Sequence, residues 1–263
     1  MTKQAVLFFD LDGTLIANRN EVAPGVLAAL KQLRQRGHLT FLCTGRPLCT
    51  TPDSLRRGIF TGTVTLAGAR VQIEDKVLCQ KTIPPAMLRR TVEEMLRRGI
   101  SAIFESSEGC CCLVPPGAAC PQLMGGGITV VSGLSEMERH FPGLGFSKIV
   151  FWDRDLAKVH AGGRFFLESY SLCDIAVGCH ELALPEVTKR EAVLLVLKEL
   201  GREAGESYGF GDSENDLPML QVVGTAVAMG NALPAVKAAA DYVTDSVARD
   251  GVPKALRHFG LIE

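Results

Sequence analysis

A short apolar run, Val6-Leu7-Phe8-Phe9, leads straight into two carboxylates, Asp10 and Asp12, and then Gly13. A continuously apolar run of this length fits a strand buried on both faces, in the middle of a parallel sheet. In extended backbone Asp10 and Asp12 face one side and Leu11 the other. Gly13 lets the chain turn sharply away. Ligand sites of open α/β sheets lie beyond the carboxyl ends of the strands, where these residues would sit. Neighbouring carboxylates repel unless a cation or a proton comes between them, and such hard oxygen donors suit Mg2+.

The surrounding pattern supports a strand-helix alternation. A helix is expected from Pro24 to Arg36, strands at Leu39–Cys43 and Val64–Leu66, and a long helix from Glu186 to Leu200 before Gly201. Tyr208–Phe210, Ala226–Met229 and Tyr242–Val243 read as later strands. Alternation of this kind argues for a parallel α/β sheet. Residues 83–182 read differently. After a helix at Pro85–Arg98 come short strand candidates at Ile100–Phe104, Cys111–Val114, Ile128–Val131 and Lys148–Trp152, separated by turns such as Pro115-Pro116-Gly117 and Gly125-Gly126-Gly127. The expectation is an α/β core, residues 1–82 and 183–263, interrupted by an inserted α+β domain, 83–182.

Three further pieces could carry chemistry. Gly211-Asp212-Ser213-Glu214-Asn215-Asp216 again puts acidic residues after a short strand. Asp212 and Asp216 could complete a cation site with Asp10 and Asp12, or serve only to cap a helix. Thr44-Gly45-Arg46 ends a strand in a hydroxyl and a glycine; it can offer a phosphate a hydroxyl and free N–H groups, or be a plain turn. Lys189, near a helix start, is either a solvated charge or a partner for a phosphate dianion.

The chain has 263 residues, a formal net charge of -1 and nine cysteines. The charge gives no general attraction to nucleic acid or anionic membrane. No run approaches the roughly 18 apolar residues that span a bilayer. The first residues lack the features of a signal peptide, so a cytoplasmic protein with free thiols is expected. Adjacent Cys110, Cys111 and Cys112 would alternate faces on a strand, which suits structural thiols better than joint chelation.

Taken in order, DLDGT at 10–14, the Thr44 of TGR, Lys189 and GDSEND at 211–216 resemble the four motifs of the haloacid dehalogenase-like (HAD) phosphohydrolases. The tail, Ala226–Ala232, Val236 to Thr244 and Asp250-Gly251-Val252, is similar to the Cof-type subfamily with a C2 (type IIB) cap. The resemblance implies a Rossmann-like parallel-sheet core with an inserted α+β cap. It implies an Mg2+-dependent hydrolase of a small phosphomonoester, sugar phosphates foremost, acting through an aspartyl phosphate on Asp10. Asp12 would be the acid and base. Asp10, Asp212 and the Asp12 carbonyl would hold the metal. The Leu11 amide, Thr44, Gly45, Lys189 and Asn215 would surround the phosphoryl group, and Asp216 would support them. A phosphomutase or phosphotransferase on the same core, or a non-enzymatic phospholigand-binding module, would share much of this signature. One departure is visible: Ala67 stands where the subfamily often has asparagine. Arg46, Arg70, Trp152 and His180 are further candidate contacts, each with an ordinary surface, hinge or core reading. Oligomeric state is not legible.

Overall fold

The computed structural model describes residues 4–17, 21–56, 58–121, 127–143, 145–162, 164–176 and 178–263. The chain divides into two compact units, residues 1–80 with 188–263, and residues 81–187. The divisions lie before Lys81 and after Val187, not at the breaks read from sequence. Both connecting segments are tied into the second unit: Lys81 Nζ donates to Glu186 O at 3.0 Å, and Ile83 N to Phe146 O at 2.7 Å.

In the first unit, eight strands among the described residues form one sheet. They are β1 (Val6–Phe9), β2 (Leu39–Cys43), β3 (Gly62–Thr65), β4 (Arg70–Ile73), β5 (Lys76–Gln80), β12 (Ser207–Gly211), β13 (Thr225–Ala228) and β14 (Tyr242–Val243). The spatial order is β14-β13-β12-β1-β2-β3-β4-β5. β14 through β3 run parallel, whereas β4 and β5 are antiparallel. That hairpin, with Glu74 at φ 50° in its turn, is absent from the sequence reading.

β1 lies between β2 and β12, and its four side chains are fully buried. Phe8 stacks on Phe41 at 5.3 Å and Phe9 on Phe210 at 4.7 Å between ring centroids. Each such side chain contributes roughly 2 kcal/mol by leaving water. The chain runs from β1 to one side and returns on the other, so β1 stands at a topological switch point. Phe9 is level with Leu42 and Phe210. The ends of β1, β2 and β12 therefore deliver Asp10, Thr44 and Asp212 to one edge of the sheet.

The helix expected from Glu186 starts at Lys189. Pro185 resembles a first-turn signal, but Thr188 caps the helix, its hydroxyl accepting from Glu191 N at 3.2 Å. Pro185 and Glu186 form a turn instead. Ala67 has φ 57°, a left-handed conformation that asparagine adopts more readily than alanine. The Ala67 N–H still bonds to Thr44 O, at 3.1 Å, so the tertiary fold imposes the conformation.

The second unit holds β6 (Ala102–Ser106), β7 (Cys110–Leu113), β8 (Ile128–Val131), β9 (Phe146–Trp152), β10 (Ser171–Ala176) and β11 (Cys179–Ala183), in the order β10-β11-β9-β6-β7-β8. Helices at Pro85–Arg98, Leu134–His140, Asp153–Ala161 and Arg164–Ser169 complete an α+β unit. Only the first was expected. Lys148 is buried between Glu105, at 3.0 Å, and Glu181, at 2.8 Å, on neighbouring strands. Burial disfavours its ammonium, but the two carboxylates more than reverse this and raise its pKa. His180, also buried, has Nδ1 2.6 Å from Asp174 and Nε2 2.6 Å from Asp153. Trp152 is half-buried, with the Arg154 guanidinium 5.8 Å from its ring centroid. Cys110, Cys111 and Cys112 are buried on β7. Burial pushes the Cys111 thiol up to about 12 and that of Cys112 to about 11. Gly125 and Gly126 lie outside the described residues. Among those residues, no helix is long and apolar enough to cross a membrane.

Candidate active site

Asp10 follows β1 directly and is 4% exposed. Its N–H continues the ladder to Phe210 O at 2.9 Å. Lys189, first residue of its helix and 2% exposed, reaches the same point. Its Nζ lies 2.7 Å from Asp10 Oδ1 and 2.6 Å from Asp216 Oδ1. The other Asp216 oxygen accepts from Asp212 N at 3.0 Å and Ser213 N at 3.1 Å. Asp216 is thus engaged at both oxygens. It fixes the Lys189 ammonium on one side and the loop after β12 on the other.

Asp10, Asp212 and Asp216 form a group that could hold a cation among the described residues, one oxygen of each lying within 4.8 Å of the others. Three carboxylates here face one ammonium. Burial, then Asp216, raise the Asp10 pKa well above the ordinary carboxylate range, against the pull of Lys189. Burial and Asp216 push Asp212 up to about 7. Burial alone would lower Lys189, but Asp10 and Asp216 raise it. The cluster lacks positive charge, which a divalent cation would supply.

The donors fit such an ion. Asp212 Oδ1 is buried without a hydrogen-bond partner, and the Thr14 hydroxyl beside it offsets its charge only partly. Asp212 Oδ2 faces Asn231 Nδ2 at 3.4 Å. The Asn231 amide is oriented by Val247 N, which donates to its Oδ1 at 2.9 Å, and it also donates to Gly13 O at 2.9 Å. With Asp216 fully bonded, Asp10 and Asp212 are the carboxylates with capacity left. An all-oxygen set suits a hard ion such as Mg2+.

Gly13 is demanded twice. It has φ +82°, and a Cβ there would lie 2.1 Å from Asp212 Oδ2. Gly13→Ala is expected to displace Asp212 and would weaken binding of a divalent cation at this cluster about 100-fold, as loss of a ligand's support does. Titration calorimetry with Mg2+ checks this.

The Asp12 carboxylate stands apart from the cluster. It is half exposed, and Arg46 holds it: Nε donates to Oδ2 at 2.7 Å and Nη2 to Oδ1. Thr44 is 1% exposed. Its hydroxyl accepts from Arg46 N at 3.1 Å, which leaves its own hydrogen to donate elsewhere. Gly45 is half-buried between them. Leu11 is buried, and its carbonyl accepts from Leu15 N at 2.9 Å and Ile16 N at 3.0 Å, which winds the loop. Asn215 Oδ1 accepts from Ser213 Oγ at 2.8 Å, so its NH2 is free to face a ligand. Arg70 bonds Gln72 and Gln80 within the hairpin.

The structure therefore brings Asp10, Lys189, Asp212 and Asp216 together, with Asp12, Thr44 and Asn215 in the adjoining loops. Arg46, read from sequence only as a candidate contact with an ordinary surface or hinge alternative, bonds Asp12, while Ser213 and Asn231 were missed as participants. Arg46 and Ser213 lie inside the motifs themselves, and Asn231 in the tail; adjacency to a motif is the signal that could have found them.

Comparison with known proteins identifies the family. Residues 7–123 and 164–256 match the family described as haloacid dehalogenase-like hydrolase, and the chain belongs to that family. An HMP-PP phosphatase of Serratia proteamaculans is 32% identical over 87% of this chain and 85% of its own. A phosphatase of the same superfamily from Bacteroides thetaiotaomicron superposes with a TM-score of 0.80 at 26% identity, covering 98% of this chain and 96% of that one. A subclass IIB sugar phosphatase shares the fold, with a TM-score of 0.79 at 24% identity over 98% and 100% of the two chains.

Proposed function

We propose that this protein is an Mg2+-dependent phosphatase that hydrolyses a small phosphomonoester through an aspartyl phosphate on Asp10. The observation that carries the reading is the buried Asp10–Lys189–Asp216 arrangement beside Asp212: a carboxylate held at one oxygen by an ammonium, in a cluster short of positive charge. Named phosphatases among its relatives support it.

In the proposed reaction Asp10 attacks phosphorus. The P–O bond to the leaving group breaks, its electron pair goes to the leaving oxygen, and Asp12 supplies the proton that makes it an alcohol. Water then attacks the aspartyl phosphate and gives its proton to Asp12. The bond from phosphorus to Asp10 breaks, releasing phosphate and restoring both carboxyl groups. Lys189, the Thr44 hydroxyl, the Asn215 NH2 and the Leu11 and Gly45 amides stabilise charge on the phosphoryl oxygens. Asp10, Asp212 and the Asp12 carbonyl would hold Mg2+, which would supply the positive charge that lets an anionic nucleophile meet an anionic ester. Asp216 orients Lys189. The inserted unit acts as the cap that selects the leaving group, and sugar phosphates are the first substrates to try.

The test is phosphate release from a panel of sugar phosphates, nucleotides, flavin mononucleotide, pyridoxal phosphate and HMP-PP, with Mg2+ or with chelator. Release with Mg2+ that chelator abolishes is expected. Release unaffected by chelator contradicts the metal, and transfer to a second sugar without net release contradicts hydrolysis.

Metal binding should also depend on pH. The Asp212 pKa is raised on folding, so between the unfolded value and about 7 the folded state binds more protons. The metal-free protein therefore loses stability as pH rises through that window. Asp212 would have to be ionised to hold a divalent cation, so the stabilisation that Mg2+ would give should grow over the same range. Melting curves from pH 5 to about 8, with and without Mg2+, check both signs, bracketing the Asp212 transition.

A further inference from the structure

We infer that Arg46 is a positioning residue for Asp12, and that through Asp12 it governs how well the enzyme expels poor leaving groups. This rests on the reading of Asp12 as proton donor given above.

Asp12 sits on the loop after β1, with its carboxylate half in solvent. An exposed aspartate has several staggered rotamers, and only some would aim it at a leaving oxygen. Arg46 removes that freedom. Its planar fork bonds one lone pair of each oxygen, which leaves a second lone pair to carry the acid proton and fixes the plane of the carboxyl group as well as its place. The fork is itself anchored: Arg46 N donates to Thr44 Oγ1 at 3.1 Å, and Nη1 to Thr50 O at 3.2 Å. The loop after β2 thus supports the acid on the loop after β1, across a separation of 34 residues in sequence. Lys189, by contrast, bonds Asp10 and Asp216. The two cations divide the site: one holds the nucleophile, the other the acid.

The chemistry supplies a selective readout. An alkyl alkoxide leaves poorly without a proton, whereas p-nitrophenolate leaves well without one. kcat/KM reports the steps up to departure of the leaving group. Hydrolysis of the aspartyl phosphate, common to all substrates, does not enter it.

The experiment compares kcat/KM for glucose 6-phosphate and p-nitrophenyl phosphate, in wild type, Arg46→Ala, Arg46→Lys, Asp12→Asn and the Arg46→Ala/Asp12→Asn double variant. Arg46→Ala should lower the alkyl value about 10- to 100-fold, a part of the roughly 10²- to 10⁴-fold that acid catalysis supplies, and the aryl value less than about threefold. Arg46→Lys, which keeps the charge but loses the fork, should recover part of the alkyl rate. The double variant should fall no further than Asp12→Asn alone. Equal losses on both substrates, with matching loss of inhibition by inorganic phosphate, would make Arg46 a phosphoryl ligand and overturn the inference. Unchanged rates on both would overturn it too. If Asp12→Asn itself shows no difference between the substrates, the assignment of Asp12 is what fails, and the role of Arg46 falls with it.

Discussion

Asp10→Asn should abolish turnover, by at least about 10⁴-fold, while the protein melts at the same temperature or higher. The activity loss follows from chemistry: an amide oxygen is a poor nucleophile toward phosphorus, and the residues that remain give only binding and electrostatic help. The stability follows from charge. Asp10 is one of three carboxylates facing a single ammonium, and burial and Asp216 already disfavour its charged form. Asparagine keeps the shape and an oxygen for Lys189 while removing one surplus charge. Phosphate release and a thermal melt on the same preparation check both halves. A fully active Asp10→Asn protein contradicts the covalent route, and an unfolded one contradicts the charge argument.

Lys189→Ala should have the largest effect on stability. The ammonium is buried, and its removal strands Asp10 and Asp216 and opens a cavity. Breaking a buried ion pair by deleting one partner costs about 3–5 kcal/mol. The cost should shrink at acid pH, because either stranded carboxylate can take up a proton. Urea unfolding at two pH values measures this. Inhibition by inorganic phosphate should weaken as well, since a charge-assisted donor to the phosphoryl oxygens is gone. Unchanged stability together with unchanged phosphate inhibition contradicts the role given to Lys189.

Much of the core was legible because its signals are local. A four-residue apolar strand followed by Asp-x-Asp-Gly states its burial, its end and its turn within eight residues. The helix at Pro85–Arg98 matched because Pro85 and Gly99 mark its ends, with Gly99 in the left-handed conformation at φ 61°. What escaped depends on distant partners. Spacing alone offers Asp10, Asp12, Asp212 and Asp216 as equivalent carboxylates, and it is the family resemblance that gives them different roles. Only the fold shows that Asp216 is saturated by Lys189 and the β12 loop, and that the carboxylate of Asp12 turns to Arg46. In the inserted unit the charged residues Glu105, Lys148 and Glu181 mimic solvent-facing positions, yet they satisfy one another inside the sheet. The three later helices there are short, and Asp153–Ala161 carries much charge, so their apolar faces are too brief to establish a period.

The central claim is a covalent phosphoryl group on Asp10, and trapping it is the most direct test. Enzyme turning over a good substrate with Mg2+ is quenched in acid, which preserves an acyl phosphate, and its peptides are weighed by mass spectrometry. The account predicts one phosphoryl group on the peptide containing Asp10, lost on treatment with hydroxylamine and absent from Asp10→Asn. Phosphate release from wild type with no labelled peptide at any quench time, or the same label on Asp10→Asn, would contradict it.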